Sequence, residues 1–180
     1  MKRSLLRWLG PTLVLFVLWR WAPRGEAPTL GVQDGQLTPC PESPNAVCSK
    51  AQDDIHAIAP IQTEGRMEQA WAHCRAAAFA EPGTRLVSES PGYMRFEATT
   101  RWCRFVDDVE FLADPPLNLI QVRSSSRIGH SDLGTNRRRV ERIRSEHQKR
   151  MRLSNPGPAP TPTQTLLRAD PQAPTGQPAK

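Results

Sequence analysis

The densest group of residues able to do chemistry is Phe105-Val106-Asp107-Asp108-Val109-Glu110-Phe111. Three carboxylates in four positions could hold a hard cation or perform acid/base work. A strand period divides them. Asp108 and Glu110 fall on one face with Val106 and Leu112, whereas Asp107 falls on the other with Phe105, Val109 and Phe111. The first pair can face Gln121, Arg123 or Arg95 as cross-strand charge pairs on a solvated sheet face. Asp107 points toward an apolar face, so it requires a partner, expected to be an arginine or the amides of the loop after the fourth strand.

That loop, Ser124 to Asn136, carries hydroxyls, Arg127 and His130 into a helix N-terminus. It is a candidate anion pocket walled by Arg123, Arg127 and His130. The alternative is structural, with the serines and Asn136 capping the helix while the arginines answer Asp107, Asp108 and Glu110. Asp107, Asp108, Glu110, Arg123, Arg127 and Asn136 are therefore the candidate ligand-binding or structural polar cluster. Catalytic candidates are Asp107, Asp108 and His56. The imidazole of His56 could join Asp53 or the acidic strand around a metal, or serve as a hydrogen-bonding structural residue. Ser131, His130 and Asp132 are adjacent in the chain and lack nucleophile-elbow glycines, so they make no triad. Four cysteines permit three pairings, among them Cys40 with Cys48 and Cys74 with Cys103, or none if they are buried thiols. No C-x-x-C pair supports zinc. No cofactor and no metal are expected.

These residues must be positioned by a small number of elements. Thr63 and Glu64 open a helical stretch whose stripe is Met67, Ala70, Trp71, Cys74, Ala77 and Ala78, ended by Pro82-Gly83. Four strand-like runs follow: 85–90, 93–100, 105–112 and 118–124. The turn residues between them predict antiparallel neighbours. A last helix places Val140, Ile143, His147 and Met151 on one stripe, with Thr135 or Asn136 as its cap. The expected fold is a two-layer α+β domain, about four antiparallel strands flanked by two helices. It spans residues 37–152, after a linker at 27–36.

The ends of the chain have other compositions. Residues 1–26 carry five basic residues and one acidic around the apolar run Trp8 to Trp19. Leu5 to Ala22 would extend roughly 27 Å as a helix, close to a hydrocarbon core of about 30 Å if Arg7 and Arg20 reach the interfaces. This predicts a signal-anchor or transmembrane segment, with membrane contact through residues 5–22. The charge balance across it favours a cytoplasmic N-terminus and a periplasmic or extracytoplasmic domain of a bacterial envelope. Residues 153–180 hold seven prolines and no aromatic residue, the composition of a disordered tail.

Charge narrows the partners. The net +6 divides into nine basic and fourteen acidic residues over 27–135, and eight basic and two acidic over 136–152. The basic helix lacks the aromatic stacking residues of a nucleic-acid module, which excludes nucleic acid. A solvated basic face, near anionic headgroups or paired with the acidic sheet, accounts for it.

Several blocks together resemble a known family. Cys40-Pro41-Glu42-Ser43-Pro44-Asn45, Asp53-Asp54-Ile55-His56-Ala57-Ile58, Phe105 to Phe111, Val122 to Gly129, Ser131 to Gly134 and Asn136 to Glu141 are similar to the uncharacterised family called domain of unknown function 1499. The resemblance covers roughly residues 37–147. It implies an extracytoplasmic or membrane-associated domain and supplies no activity. The family usually has a cysteine after the Pro-Asn pair, where this chain has Ala46 followed by Cys48, and commonly a tyrosine where this chain has His130.

The function expected from these features is a membrane-anchored envelope domain that is more a binding module than an enzyme. Its partner would be an envelope protein, a lipid or a small anionic ligand at the Asp107, Arg123, Arg127 and Asn136 region. The alternative is a metal-assisted hydrolase using the acidic strand and His56.

Overall fold

Alternation of residue type decides which face of each long strand enters the core. The computed structural model describes Gly25 and residues 28–155. Its elements are β1 (Val32–Gln33), β2 (Gln36–Leu37), β3 (Ala46–Cys48), β4 (Ile61–Gln62), α1 (Met67–Ala80), β5 (Thr84–Ser90), β6 (Tyr93–Thr99), β7 (Val106–Asp114), β8 (Leu119–Ser126) and α2 (Thr135–Ser154). On β6, Met94, Phe96 and Ala98 are buried while Tyr93, Arg95, Glu97 and Thr99 are partly exposed, the period of a strand with one face in the core. β7 is buried on both faces from Val106 to Phe111, so something must also cover its polar side.

The main sheet is antiparallel in the order β3-β8-β7-β6-β5, and β4 also pairs with β8. β3 and β4 share one edge of β8, the first opposite Arg123 to Ser125 and the second opposite Leu119 and Ile120. The expected four-stranded sheet is thus corrected to six strands, with β1 and β2 forming a separate two-stranded sheet. The additional strands are only two or three residues long, too short to show alternation. Their pairing comes from the edge of β8 that accepts them. The linker expected at 27–36 contains a hairpin instead. Asp34 and Gly35 both have positive φ, the backbone of a two-residue Asp-Gly turn.

α1 and α2 pack side by side on one face of the main sheet. The core joins Cys74, Ala77 and Ala78 of α1 and Val140 and Ile143 of α2 to Phe96, Val109, Phe111 and Val122 of the sheet. Phe96 meets Phe79 and Phe111 edge-on, with centroids 5.1 and 6.2 Å apart, a favoured aromatic arrangement. Gly83 allows the α1–β5 corner to close. Its φ is +80° and a Cβ there would lie 2.4 Å from the Thr99 carbonyl oxygen.

Two expected helix starts shift. Thr63 is buried, and its hydroxyl donates to the Asn118 main chain at 2.7 Å or its side chain at 2.8 Å. It therefore ties α1's approach to the β7–β8 turn, and the helix begins at Met67. At α2 neither Thr135 nor Asn136 is the cap. Asp132 accepts from the amides of Gly134 and Asn136 at 2.9 and 2.7 Å, and its charge suits a helix N-terminus.

Among the described residues no helix is long and apolar enough to cross a membrane. The expected anchor, at residues 5–22, lies outside the described residues. The membrane anchoring, and the envelope placement drawn from it, are corrected accordingly: the described structure offers no support for either. Of the proline-rich tail, residues 153 and 154 belong to α2, and the stretch from 156 onward lies outside the described residues.

Candidate functional site

Strand alternation sends the acidic residues of β7 to opposite sides of the sheet. Asp107 faces the helices. Its Oδ2 accepts from Arg139 Nη2 of α2 at 2.5 Å, and both side chains are nearly inaccessible. Arg139 Nη1 donates to Asn136 Oδ1 at 2.7 Å and Ser124 Oγ at 3.3 Å. Asn136 also accepts from Ser124 at 2.6 Å and donates to the Asn45 carbonyl and the Ser126 hydroxyl at 2.9 and 3.0 Å. Fully buried, Asn136 thus has every hydrogen-bonding position filled. Asn45 extends the chain of bonds to the Gly129 carbonyl at 2.6 Å. This network joins the residue before β3 to β7, β8 and the first turns of α2, and it engages the polar atoms of Asn136 and the Asp107 carboxylate.

Asp108 and Glu110 face the other way. Arg127 binds both oxygens of Asp108 at 2.8 and 2.9 Å and reaches Glu97 at 2.5 Å, the bidentate geometry a guanidinium favours. Arg85 reaches the other side of Glu97 at 2.6 Å. Burial pushes the Glu97 carboxyl up, but Arg127 and Arg85 outweigh it and hold it below the ordinary range. Asp108 and Glu97 in turn hold the Arg127 guanidinium above its usual value.

Glu110 accepts from Arg123 at 3.2 Å, Tyr93 at 2.9 Å and the Gly31 amide at 2.9 Å. Burial nevertheless raises its carboxyl above the ordinary value, with Arg123, Tyr93 and Gly31 opposing only in part. Burial first, and the Glu110 charge second, push the Tyr93 phenol up. This face was expected to be solvated. The β1–β2 hairpin covers part of it, because β2 lies against β7 and β8.

The hydrogen bonds of His56 go to neither Asp107 nor Asp108. Its Nδ1 is 2.8 Å from Asp53 and its Nε2 is 3.1 Å from the Ser43 carbonyl. Asp53 also accepts from the His56 and Ile55 amides at 2.9 and 3.1 Å, and the His56 amide is the main reason its carboxyl is held low. Asp107, Asp108 and His56 therefore occupy three separate environments. Among the described residues no three His, Cys, Asp or Glu side chains gather as a metal site. The expected metal-assisted hydrolase is corrected by that finding, and its physical basis is the period of β7.

Among the described residues two clefts are well within the usual size of small-molecule sites: one of about 490 Å³ lined by Glu81, Thr99, Thr135, Arg139 and Arg142, and one of about 440 Å³ on the hairpin-covered face. One wall of the latter is the proline-rich strap Gln36–Glu42; the other includes Cys48, Ser49 and Lys50, with Val122 and Arg123 between them. Cys40 and Cys48 are joined by a disulfide that closes the strap onto β3. Arg123 Nε donates to the Pro39 carbonyl at 3.4 Å and Nη1 to Glu110. His56 and Asp53 also line the cleft. A smaller cavity of about 300 Å³ adjoins the strap and shares Gln36, Leu37 and Lys50.

Sequence reasoning placed Arg139 in a basic run on a solvated face, whereas it is the partner of Asp107. Three positions after Asn136 and one before Val140, it falls on the buried stripe. The same run is corrected elsewhere: Arg137 donates to the Ala57 and Ile55 carbonyls at 2.8 and 2.9 Å, Arg144 donates to the Ala59 carbonyl, and Arg142 pairs with Glu81. Ser124 to Ser126 prove to be strand residues, so the polar loop begins at Arg127. His130 is exposed.

No curated protein and no solved structure matches the chain. The family model described as "Protein of unknown function (DUF1499)" matches residues 36–146, from the strap through most of α2. That span contains the strap, the disulfide, the acidic strand and both arginine networks, and the chain belongs to this family.

Proposed function

We propose that the domain binds a small molecule in the cleft beneath the Cys40–Cys48 strap, and that it does so without catalysing a reaction. The observation that carries this reading is the contrast between closed and open polar sites. Asp107, Asp108, Glu110 and Arg127 are consumed by ion pairs, whereas the cleft offers an apolar wall of Leu37 and prolines with a few convergent polar groups. Leu37 and the prolines supply contact area. Lys50 and Ser49 supply orientation. The non-catalytic part of the proposal is supported by His56, both of whose ring nitrogens lie within hydrogen-bonding distance of protein acceptors. A general base needs a nitrogen facing the substrate.

The test is a fragment screen by heteronuclear NMR on the full chain. Shift changes concentrated at Leu37, Ser49, Ala51 and Val122, and lost in Ala51→Trp, support the cleft. Fragments that bind elsewhere, or none that bind at all, overturn it.

A further inference from the structure

We propose that the Cys40–Cys48 disulfide is a thiol–disulfide exchange site, and that its reduction by a small dithiol unlatches the strap that walls the cleft. The bond is built into the cleft wall: both cysteines line it, and Cys40 is half-buried while Cys48 is 5% exposed. A reductant entering the cleft therefore meets the Cys40 sulfur first, leaving Cys48 as the departing thiolate.

The surroundings favour that departure. Cys48 pairs across the sheet with Arg123, which is itself paired with Glu110, and the exposed Lys50 follows two residues on. Neighbouring cations stabilise a thiolate. The facing acids are Asp53, engaged by His56, Glu110, engaged by Arg123 and Tyr93, and Glu42 on the exposed rim. By contrast Cys74 is enclosed in the core, where burial pushes its thiol up.

The exchange balances within the dithiol class. One thiolate of the reductant attacks Cys40 Sγ; an intermolecular S–S bond forms as the Cys40–Cys48 bond breaks, and Cys48 takes up a proton. The second thiolate of the reductant then displaces Cys40. Two electrons pass to the protein, and the reductant leaves as its cyclic disulfide.

Little else holds the strap. Pro39, Pro41 and Pro44 have no amide proton to donate. From Pro39 to Pro44 the main-chain ties are the long Arg123 bond to Pro39, the His56 contact with Ser43 and the Asn45 amide bond to Ser43. Reduction thus leaves residues 39–44 free to lift from β8, while 36–38 stay tied to β1 and Gly31. This gives the proposed binding site its regulation and for that meaning rests on it, but exchange is read in the absence of any ligand and stands or falls separately.

The test treats the full chain with dithiothreitol under native conditions, then quenches by alkylation in denaturant and counts thiols by mass spectrometry. Two free cysteines should become four at a rate proportional to dithiothreitol, about tenfold or more above the rate of global unfolding. Lys50→Glu should slow the reaction about threefold, since it replaces a cation beside the leaving sulfur. Amide shifts on reduction should be confined to residues 36–56 and the facing part of β8. A rate set by unfolding, one indifferent to Lys50→Glu, or shifts throughout the sheet would each overturn the proposal. Failure of the fragment screen with exchange intact would remove only the ligand.

Discussion

The Arg139 guanidinium lies 2.5 Å from the Asp107 carboxylate, and the pair joins α2 to the central strand β7 inside the core. Truncating one partner leaves an uncompensated buried charge. Arg139→Met should lower unfolding stability by about 3–5 kcal/mol. The Asp107→Asn, Arg139→Met double variant should recover part of that loss, because neither charge is then stranded. Urea denaturation of the four proteins of the cycle measures both effects, and additive losses would mean that the two residues act independently.

Arg127 unites Asp108 and Glu97 on the opposite face, with 8% of its side chain exposed. Its removal should act on stability. Arg127→Ala should cost about 2–4 kcal/mol, somewhat below a fully enclosed pair because Glu97 keeps solvent contact. Arg127→Lys should recover little, since an ammonium cannot reproduce the fork on Asp108. Thermal unfolding is the measurement, and a Tm shift within the error of the wild type would contradict this role.

His147 is 1% exposed on the inner face of α2, and neither ring nitrogen has a hydrogen-bond partner among the described residues. Burial holds its imidazole below the ordinary range, and the nearby His73 adds to this while the Ala70 main chain and Glu64 offset it in part. A histidine of the unfolded chain titrates near about 6.5, so below that pH the unfolded state binds more protons than the folded one. Stability is therefore retained above about pH 6.5 and falls as the pH drops, until the folded-state group also protonates. His147→Leu should flatten this part of the profile between about pH 6.5 and 5, read from urea midpoints in matched buffers. An unchanged slope would place the acid sensitivity elsewhere.

The Cys40–Cys48 bond spans a sequence separation of 8. Closing so short a loop stabilises the fold by roughly 2–3 kcal/mol on the chain-entropy account. Cys48→Ser should lose about that amount, against a smaller loss for the exposed, unpaired Cys103→Ser. Equal effects of the two substitutions, compared by denaturant midpoint, would show that the loop contributes nothing.

Much of the local structure was legible from residue type alone. The Met94, Phe96 and Ala98 alternation, the stripe from Val140 to Met151 and the division of Asp107 from Asp108 are consequences of backbone period, which a short window of sequence contains. The Asp-Gly hairpin at 34 and 35 was equally local and was passed over because its strands are two residues long. Partners were not legible in this way. Arg139 sits in a run of three arginines and Arg127 after three serines, and neither neighbourhood tells that the first meets Asp107 in the core and the second Asp108 across the sheet. The identity of the cleft, too, depended on the strap crossing β8 to reach Cys48.

By itself, then, the sequence determined the faces: which side chains point together is set by periods of 2 and 3.6 residues, properties of the local backbone. Only the tertiary structure decided which of those faces close on each other. Arg139 and Asp107 are 32 positions apart, and Arg123 reaches Pro39 across 84. Contacts at such separations arise from how strands pair and helices pack, so no local pattern can specify whether a charged group ends in an ion pair or at the edge of a cleft.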